Sequence, residues 1–128
     1  MSPDPLTPEA TIARFSELLS QGRIDALLNL YEGDAAFAPE PGRAVVGTAS
    51  IRRELERFAA LQPRMTGSVK KVIETGDTAL VAYRWTLDGT APDGSPVEMA
   101  GTSADVLRRR PDGSWGVLID DPWGAEAG

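Results

Sequence analysis

The amino-acid sequence predicts an α+β domain, with helices in its first half and a mostly antiparallel sheet in its second. Apolar residues recur at helical spacing up to Pro63, and strand-like alternation runs from Ser68 onwards. Pro, Asp and Gly residues typical of turns separate the alternating segments. The 128 residues suffice for one sizeable core. Helices and strands segregated along the chain in this way indicate an α+β architecture.

Three helices are predicted in the first half. The first begins at Thr7, a good capping residue, with Pro8 in its first turn, and it ends at Gly22. A second, short helix covers Ile24 to Tyr31. The third begins near Thr48 and carries an apolar face. The residues of that face are Ile51, Leu55, Phe58 and Leu61.

Short extended segments around Phe37 and at residues 44–46 precede the third helix, and the main strands follow it. These strands are Ser68 to Thr75, Thr78 to Leu87, Val97 to Arg109 and Ser114 to Asp120. A sheet bent around three helices would form a cone with one open end, and small-molecule sites form in such concave clefts. We expect one domain at residues 7–124, a flexible N-terminus at 1–6 and a disordered tail at 125–128.

Composition excludes several classes of function. The chain has no Cys and no His, so disulfides, thiol nucleophiles and imidazole bases are ruled out. A net charge of −6 argues against a nucleic-acid partner. No apolar stretch approaches the ~20 residues of a membrane span, and no signal peptide is recognisable, so we expect a cytoplasmic protein. No motif for a metal, a nucleotide or a flavin is present, and we expect no cofactor.

Two parts of the chain resemble the NTF2-like superfamily. The run Leu-Tyr-Glu-Gly-Asp-Ala-Ala-Phe at 30–37, with the Gly residues at 42 and 47, is similar to the SnoaL-like and ketosteroid-isomerase-like branches. Residues 105–124 resemble bacterial homologues of ketosteroid isomerase. The resemblance covers Pro8 to Gly124. It implies a cone-shaped barrel, in which three N-terminal helices pack in a strongly curved sheet, and a homodimer formed through that sheet.

The resemblance also assigns catalytic positions. The base of the isomerases, a carboxylate after the first strand, falls at Pro39 with Glu40 beside it. Their oxyanion-hole tyrosine falls on Phe15, which has no hydroxyl. Their second oxyanion donor, a carboxylic acid kept neutral, falls on Asp105. Tyr31 is the predicted replacement for the hydroxyl that Phe15 lacks.

Alternation along the strands provides the other candidates. Asp120 and Asp121 point to opposite faces, and counting from Leu118 directs Asp120 inwards. Arg84 and Trp85 also point to opposite faces of their strand. We favour the arrangement with Trp85 facing the cavity, and the arrangement with Arg84 facing it stays open. The predicted ligand contacts are Phe15, Trp85, Leu107, Leu118 and Trp123.

These features predict a pocket for a small, hydrophobic organic molecule. As an enzyme, the protein would be a cofactor-free isomerase, dehydratase or cyclase acting next to a carbonyl. Asp105 would act as acid or oxyanion donor, Asp120 or Glu40 as base, and Tyr31 as hydroxyl donor. The alternatives are a non-catalytic ligand-binding protein and a dimerisation or scaffold domain whose cavity is filled by its own side chains. An open cavity beside a desolvated carboxylate favours the enzyme.

Overall fold

The computed structural model describes residues 7–124, so the predicted flexible N-terminus and disordered tail lie outside the described residues. The helices are α1 (Pro8–Ser20), α2 (Ile24–Asn29) and α3 (Thr48–Ala59). The strands are β1 (Tyr31–Glu40), β2 (Arg43–Val46), β3 (Arg64–Thr75), β4 (Thr78–Thr90), β5 (Pro96–Thr102), β6 (Ala104–Arg109) and β7 (Trp115–Asp121).

The strands form one curved sheet in the order β2-β1-β7-β6-β4-β3. Strand β5 pairs with the second half of β4, beyond the part that pairs with β6. Every described pairing is antiparallel except that of β1 with β7. The prediction of three helices in a strongly curved, mostly antiparallel sheet is confirmed.

Local chemistry accounts for the first helix. The Thr7 hydroxyl accepts a hydrogen bond from the Ala10 amide at 3.2 Å, and Pro8 occupies the first turn. The helix ends at Ser20, and Gly22 follows with φ of 69°, in the left-handed region that glycine adopts readily. None of the described helices is both long and apolar enough to cross a membrane.

The core lies between the helices and the inner face of the sheet. Along β4, every second side chain is buried against the helices. These side chains are Ala79, Val81, Tyr83, Trp85 and Leu87. Arg84 therefore lies on the outer face and Trp85 on the inner one, which was the favoured interpretation. The helices contribute Leu18, Leu19, Leu27, Ile51 and Leu55.

Several predicted boundaries are wrong, and two of them concern the surroundings of the buried aspartates. The second helix ends at Asn29, and Tyr31 opens β1, where it pairs in parallel with Val117 of β7. The predicted strand from Val97 to Arg109 is interrupted at Ser103. Its two halves pair with different parts of β4, as the curvature of the sheet requires. Both errors concern long-range pairing, which local periodicity does not report.

Candidate acid–base site

Two aspartates on neighbouring strands face the interior of the cone. Asp105 on β6 and Asp120 on β7 are direct cross-strand partners. Their exposed fractions are only 2% and 9%. Side chains paired on one face of an antiparallel ladder lie close enough to interact. The ladder therefore brings two carboxyl groups together in a largely apolar interior.

Neutral hydroxyl groups hold this pair in place. Tyr31 Oη donates a hydrogen bond to Asp120 Oδ2 at 2.5 Å, and Ser103 Oγ donates to Asp105 Oδ2 at 2.6 Å. The other oxygen of Asp105, Oδ1, is buried and accepts no hydrogen bond from the described residues. A buried carboxyl oxygen without a donor disfavours the charged form of its group.

The surroundings of the two carboxyls affect their pKa values differently. Burial raises the pKa of Asp105 well above its ordinary range, and the charge of Asp120 and a hydrogen bond with it raise this pKa further. Burial also raises the pKa of Asp120, but hydrogen bonds from Asp105 and Tyr31 act in the opposite direction. The pKa of both carboxyls is therefore raised, and hydrogen bonds oppose this rise more at Asp120 than at Asp105.

Tyr31 remains a neutral donor in this arrangement. Burial raises the pKa of its phenol well above the ordinary value, and the nearby charge of Asp120 adds to the rise. Its hydroxyl is directed at Asp120. The structure thus places Tyr31 behind Asp120, where it orients the carboxylate.

The interior of the cone contains two small cavities. The acidic pocket has a volume of about 30 Å³, and its walls include Asp105, Asp120, Ser103, Ile12, Tyr83 and Val117. The aromatic pocket, also about 30 Å³, is lined only by apolar residues, among them Phe37, Leu55, Phe58, Leu87 and Trp123. Each is large enough for water but far below the roughly 300–1,000 Å³ of a drug-sized ligand site. Side chains fill most of the cone in this conformation.

A wider depression lies at the open end of the cone. This mouth groove, of about 390 Å³, is bordered by the Pro39–Pro41 corner, by α3 and by Trp123. Its charged residues are Glu40, Arg43, Glu54 and Arg57.

Three predicted ligand contacts lie at the inner pockets. Phe15 and Trp85 line both pockets, and Trp123 lines the aromatic pocket. The Phe15 ring meets the Tyr31 ring edge-on, with centroids 6.2 Å apart, and the rings of Trp85 and Trp123 meet similarly at 5.4 Å. These aromatic residues are the side chains that narrow the cone.

The structure corrects the role expected for Glu40. Its side chain is 61% exposed and forms an ion pair with Arg43 at 2.8 Å. Strand alternation buries Pro39 and turns Glu40 outwards into the mouth groove. Glu40 therefore does not face the acidic pocket and is not its base.

Two predicted ligand contacts also require correction. Leu107 is completely buried in the core and is not among the residues lining either inner pocket. Leu118 lies in an irregularity of β7, because Leu107 pairs with Val117 and Val106 pairs with Ile119. Val117 consequently lines the acidic pocket in place of Leu118.

Sequence reasoning missed several residues of the site. Ser103 precedes Asp105 by two positions, so alternation alone would have placed it on the same face. Tyr83 belongs to the inward set of β4 and lines the acidic pocket, and its hydroxyl lies 2.8 Å from that of Ser16. Within residues 7–124 no group of three or more acidic side chains is arranged to hold a metal ion.

The chain is similar to one family model and to several solved structures. The family model of the SnoaL-like domain matches residues 12–116. No curated protein matches the chain.

Similar solved structures carry different names. A ketosteroid isomerase-like protein from Erwinia carotovora atroseptica is 24% identical, with a TM-score of 0.70 and 88% of each chain covered. A proposed NTF2-like dehydratase from Streptomyces avermitilis is 20% identical, with a TM-score of 0.71, covering 88% of this chain and 90% of that one. A proposed calcium/calmodulin-dependent protein kinase II association domain from Thiobacillus denitrificans is 17% identical, with a TM-score of 0.76 and coverages of 94% and 96%. At these identities the likeness concerns the fold alone.

Proposed function

The chain belongs to the SnoaL-like domain family, and we propose that it binds a small, largely apolar molecule inside its cone and transfers a proton on it. The observation that carries the proposal is the buried Asp105–Asp120 pair at the wall of an otherwise mostly apolar pocket. Burying ionisable groups is costly, and apolar side chains would fill the same positions more cheaply. Such pairs in clefts are therefore candidates for catalysis.

The two carboxyls suit complementary steps. The Asp120 carboxylate accepts the proton from a carbon next to a carbonyl, and the electrons of that C–H bond form the enolate. The Asp105 proton hydrogen-bonds to the carbonyl oxygen, where negative charge develops. Return of the proton to another carbon completes an isomerisation, whereas loss of a neighbouring hydroxyl as water completes a dehydration. No cofactor is needed for either outcome.

Tyr31 assists this chemistry through Asp120. Its hydroxyl bonds to the carboxylate and holds it in one orientation. Tyr31 is not among the residues that line the acidic pocket, so it serves as a positioning residue and not as a hydroxyl donor to the substrate.

We also propose that two copies of the chain associate through the outer face of the sheet. Six apolar residues lie in register across neighbouring strands, and we call them the outer row: Ile73, Leu80, Val106, Ile119, Ala36 and Val46. Four of them are between 39% and 65% exposed. A continuous apolar row of this kind is typical of an interface. A second copy supplies a matching row through two-fold symmetry.

A dimerisation domain without chemistry is the second candidate. The observation that favours it is the small size of the two inner pockets, about 30 Å³ each. In that case the aromatic side chains would act as a permanent core. The similar fold of the proposed association domain from Thiobacillus denitrificans is consistent with this candidate.

Proton exchange tests the two candidates directly. The protein is incubated in D₂O with a panel of small cyclic ketones, and exchange next to the carbonyl is followed by NMR. We expect the wild type to accelerate exchange, and Asp120→Asn to lose about 100-fold or more of that rate. Glu40→Gln, an exposed acid at the mouth, should behave like wild type. Wild-type exchange equal to that of buffer, or full activity of Asp120→Asn, would reject the enzyme.

A further inference from the structure

The mouth groove, the aromatic pocket and the acidic pocket lie one behind another, in an arrangement that we call the file. The mouth groove and the aromatic pocket share two wall residues, Phe58 and Trp123. The aromatic pocket and the acidic pocket share Phe15, Met65, Trp85 and Pro122. The file therefore leads from solvent to the Asp105–Asp120 pair and is interrupted by side chains.

We propose that Trp123 is the gate of this file and that the substrate is a flat, mostly apolar molecule with a hydrogen-bonding group at its leading end. The proposal rests on the function proposed above, because it assigns the acidic pocket to that leading group. Displacement of the Trp123 ring would join the mouth groove to the aromatic pocket.

The position of Trp123 suits a movable element. It is only half-buried, and it follows the last strand of the sheet. Its indole Nε1 is buried without a hydrogen-bond partner among the described residues. A buried donor left unpaired is unfavourable, so the closed position of the ring is not held by a polar contact. Rotation towards the mouth groove would return this donor to water.

The backbone beside the gate is anchored independently of the Trp123 ring. Trp85 Nε1 donates a hydrogen bond to the Pro122 carbonyl at 2.7 Å, and the Trp123 amide donates to Asp121 Oδ1 at 3.2 Å. Removing the Trp123 side chain therefore opens the outer part of the file, between the mouth groove and the aromatic pocket, without breaking either bond. This separation makes the gate testable by substitution.

The walls define the class of substrate. The aromatic pocket is lined by five aromatic side chains and otherwise by apolar ones, so it favours a flat apolar body. Polar groups follow only at the inner end, where Asp105 and Asp120 line the acidic pocket. In the mouth groove Arg43 is ion-paired with Glu40 and Glu54, and Arg57 with Glu54. These balanced charges give no preference for an anionic or cationic tail.

Naphthol and naphthalene are suitable probes, since they share a flat apolar body and differ in one hydroxyl. Stopped-flow measurements of naphthol fluorescence give association rates. We expect Trp123→Ala to accelerate association at least about tenfold over wild type, with Trp123→Phe in between. Trp115→Phe removes a buried tryptophan that lines none of the three cavities, and it should leave the rate unchanged. Melting temperatures verify that every variant is folded.

Equal association rates of naphthol with wild type and with Trp123→Ala would overturn the gate. Failure of naphthol to bind either protein would overturn it as well. Tighter binding of naphthol than of naphthalene supports the assigned substrate class, and equal binding of the two rejects it. Asp120→Asn should reduce the preference for naphthol. If Trp123→Ala is faster but Asp120→Asn keeps the full preference, the gate stands and the role of the acidic pair fails. If the preference for naphthol depends on Asp120 but the association rate is unchanged in Trp123→Ala, the role of the acidic pair is supported and the gate is rejected.

Discussion

Asp105 and Asp120 face each other across the β6–β7 ladder, and the hydrogen bond from Tyr31 goes to Asp120 alone. This asymmetry distinguishes the two carboxyls. Hydrogen bonds from Tyr31 and Asp105 oppose the rise that burial causes in the pKa of Asp120. At Asp105, which accepts a hydrogen bond from the Ser103 hydroxyl, burial and the charge of Asp120 both raise the pKa.

The raised pKa of Asp105 makes stability depend on pH. In the unfolded chain an aspartate titrates near pH ~4. As the pH rises above that value, the unfolded chain loses its proton before the folded one, so the free energy of unfolding falls until the folded pKa is passed. Asp105→Asn should flatten this fall and be more stable than wild type at mildly alkaline pH. Urea unfolding across a pH series measures both effects.

Asp93 provides a control of opposite sign. Hydrogen bonds from Ser95 lower its pKa, so its stabilising contribution is present above the unfolded pKa and lost as the pH falls. Asp93→Asn should therefore lower the free energy of unfolding by a constant amount on the alkaline side and leave the slope of the profile there unchanged. An Asp105→Asn profile parallel to that of wild type would contradict the raised pKa of Asp105.

Tyr31→Phe should destabilise the fold by about 2 kcal/mol at neutral pH, because it removes a hydrogen bond to a carboxylate. It should also raise the pKa of Asp120, since the Tyr31 bond lowers that pKa. The penalty should shrink at acid pH, where Asp120 is protonated. Tyr83→Phe, which loses the neutral partner Ser16, should cost about 1 kcal/mol at every pH. Equal, pH-independent penalties would argue against a carboxylate at Asp120.

Leu80→Lys tests the outer row. Burying an unpaired charge at a dimer interface costs roughly 3 kcal/mol, which weakens association by about 100-fold or more. Sedimentation velocity over a concentration series should show a dimer for wild type and a monomer for the variant. Gln21→Lys adds the same charge at an exposed position after α1 and should remain dimeric. A monomeric wild type would rule out the outer row as an interface.

Gly67→Ala should destabilise the protein by about 2 kcal/mol or more, an overpacking penalty. A Cβ at this position would lie 2.6 Å from Cζ of Tyr83 and closer still to the Arg84 carbonyl oxygen. Gly33→Ala, where nothing lies within 4 Å, should be neutral or stabilise by up to about 1 kcal/mol. Urea unfolding of both variants decides the matter, and equal effects would mean that Gly67 is not packed against Tyr83.

Much of the fold could be predicted because buried residues recur every two positions in a strand and about every 3.6 positions in a helix. The alternation around Trp85 and Arg84 showed that they lie on opposite faces of β4 and favoured Trp85 inside, with the reverse left open. The spacing of Ile51 and Leu55 gave the buried face of α3. The inward direction of Asp120 also followed from alternation, although the starting point, Leu118, was wrong. An irregularity in the pairing of β6 with β7 at Leu118 interrupts the alternation of inward and outward residues. No local sequence pattern predicts this irregularity.

The candidate site was only partly predictable. Family resemblance pointed to Asp105, and the missing hydroxyl at Phe15 drew attention to Tyr31. Neither indicated that Tyr31 would bond to Asp120, 89 positions away, through a parallel pairing of β1 with β7. Glu40 was misplaced because the resemblance put the base at Pro39 with Glu40 as its neighbour, whereas strand alternation buries Pro39 and leaves Glu40 exposed.

The sequence by itself determined the fold class, which residues share a face along the main strands and the absence of imidazole and thiol chemistry. These properties depend on residue type and on periods of two or 3.6 residues, which are local. Tertiary structure alone decided which faces of the strands are buried, which carboxyls meet, in which direction their pKa values move and how far aromatic side chains fill the cone. Those outcomes depend on strand register, on the curvature of the sheet and on desolvation, and all three arise only when distant segments pack together.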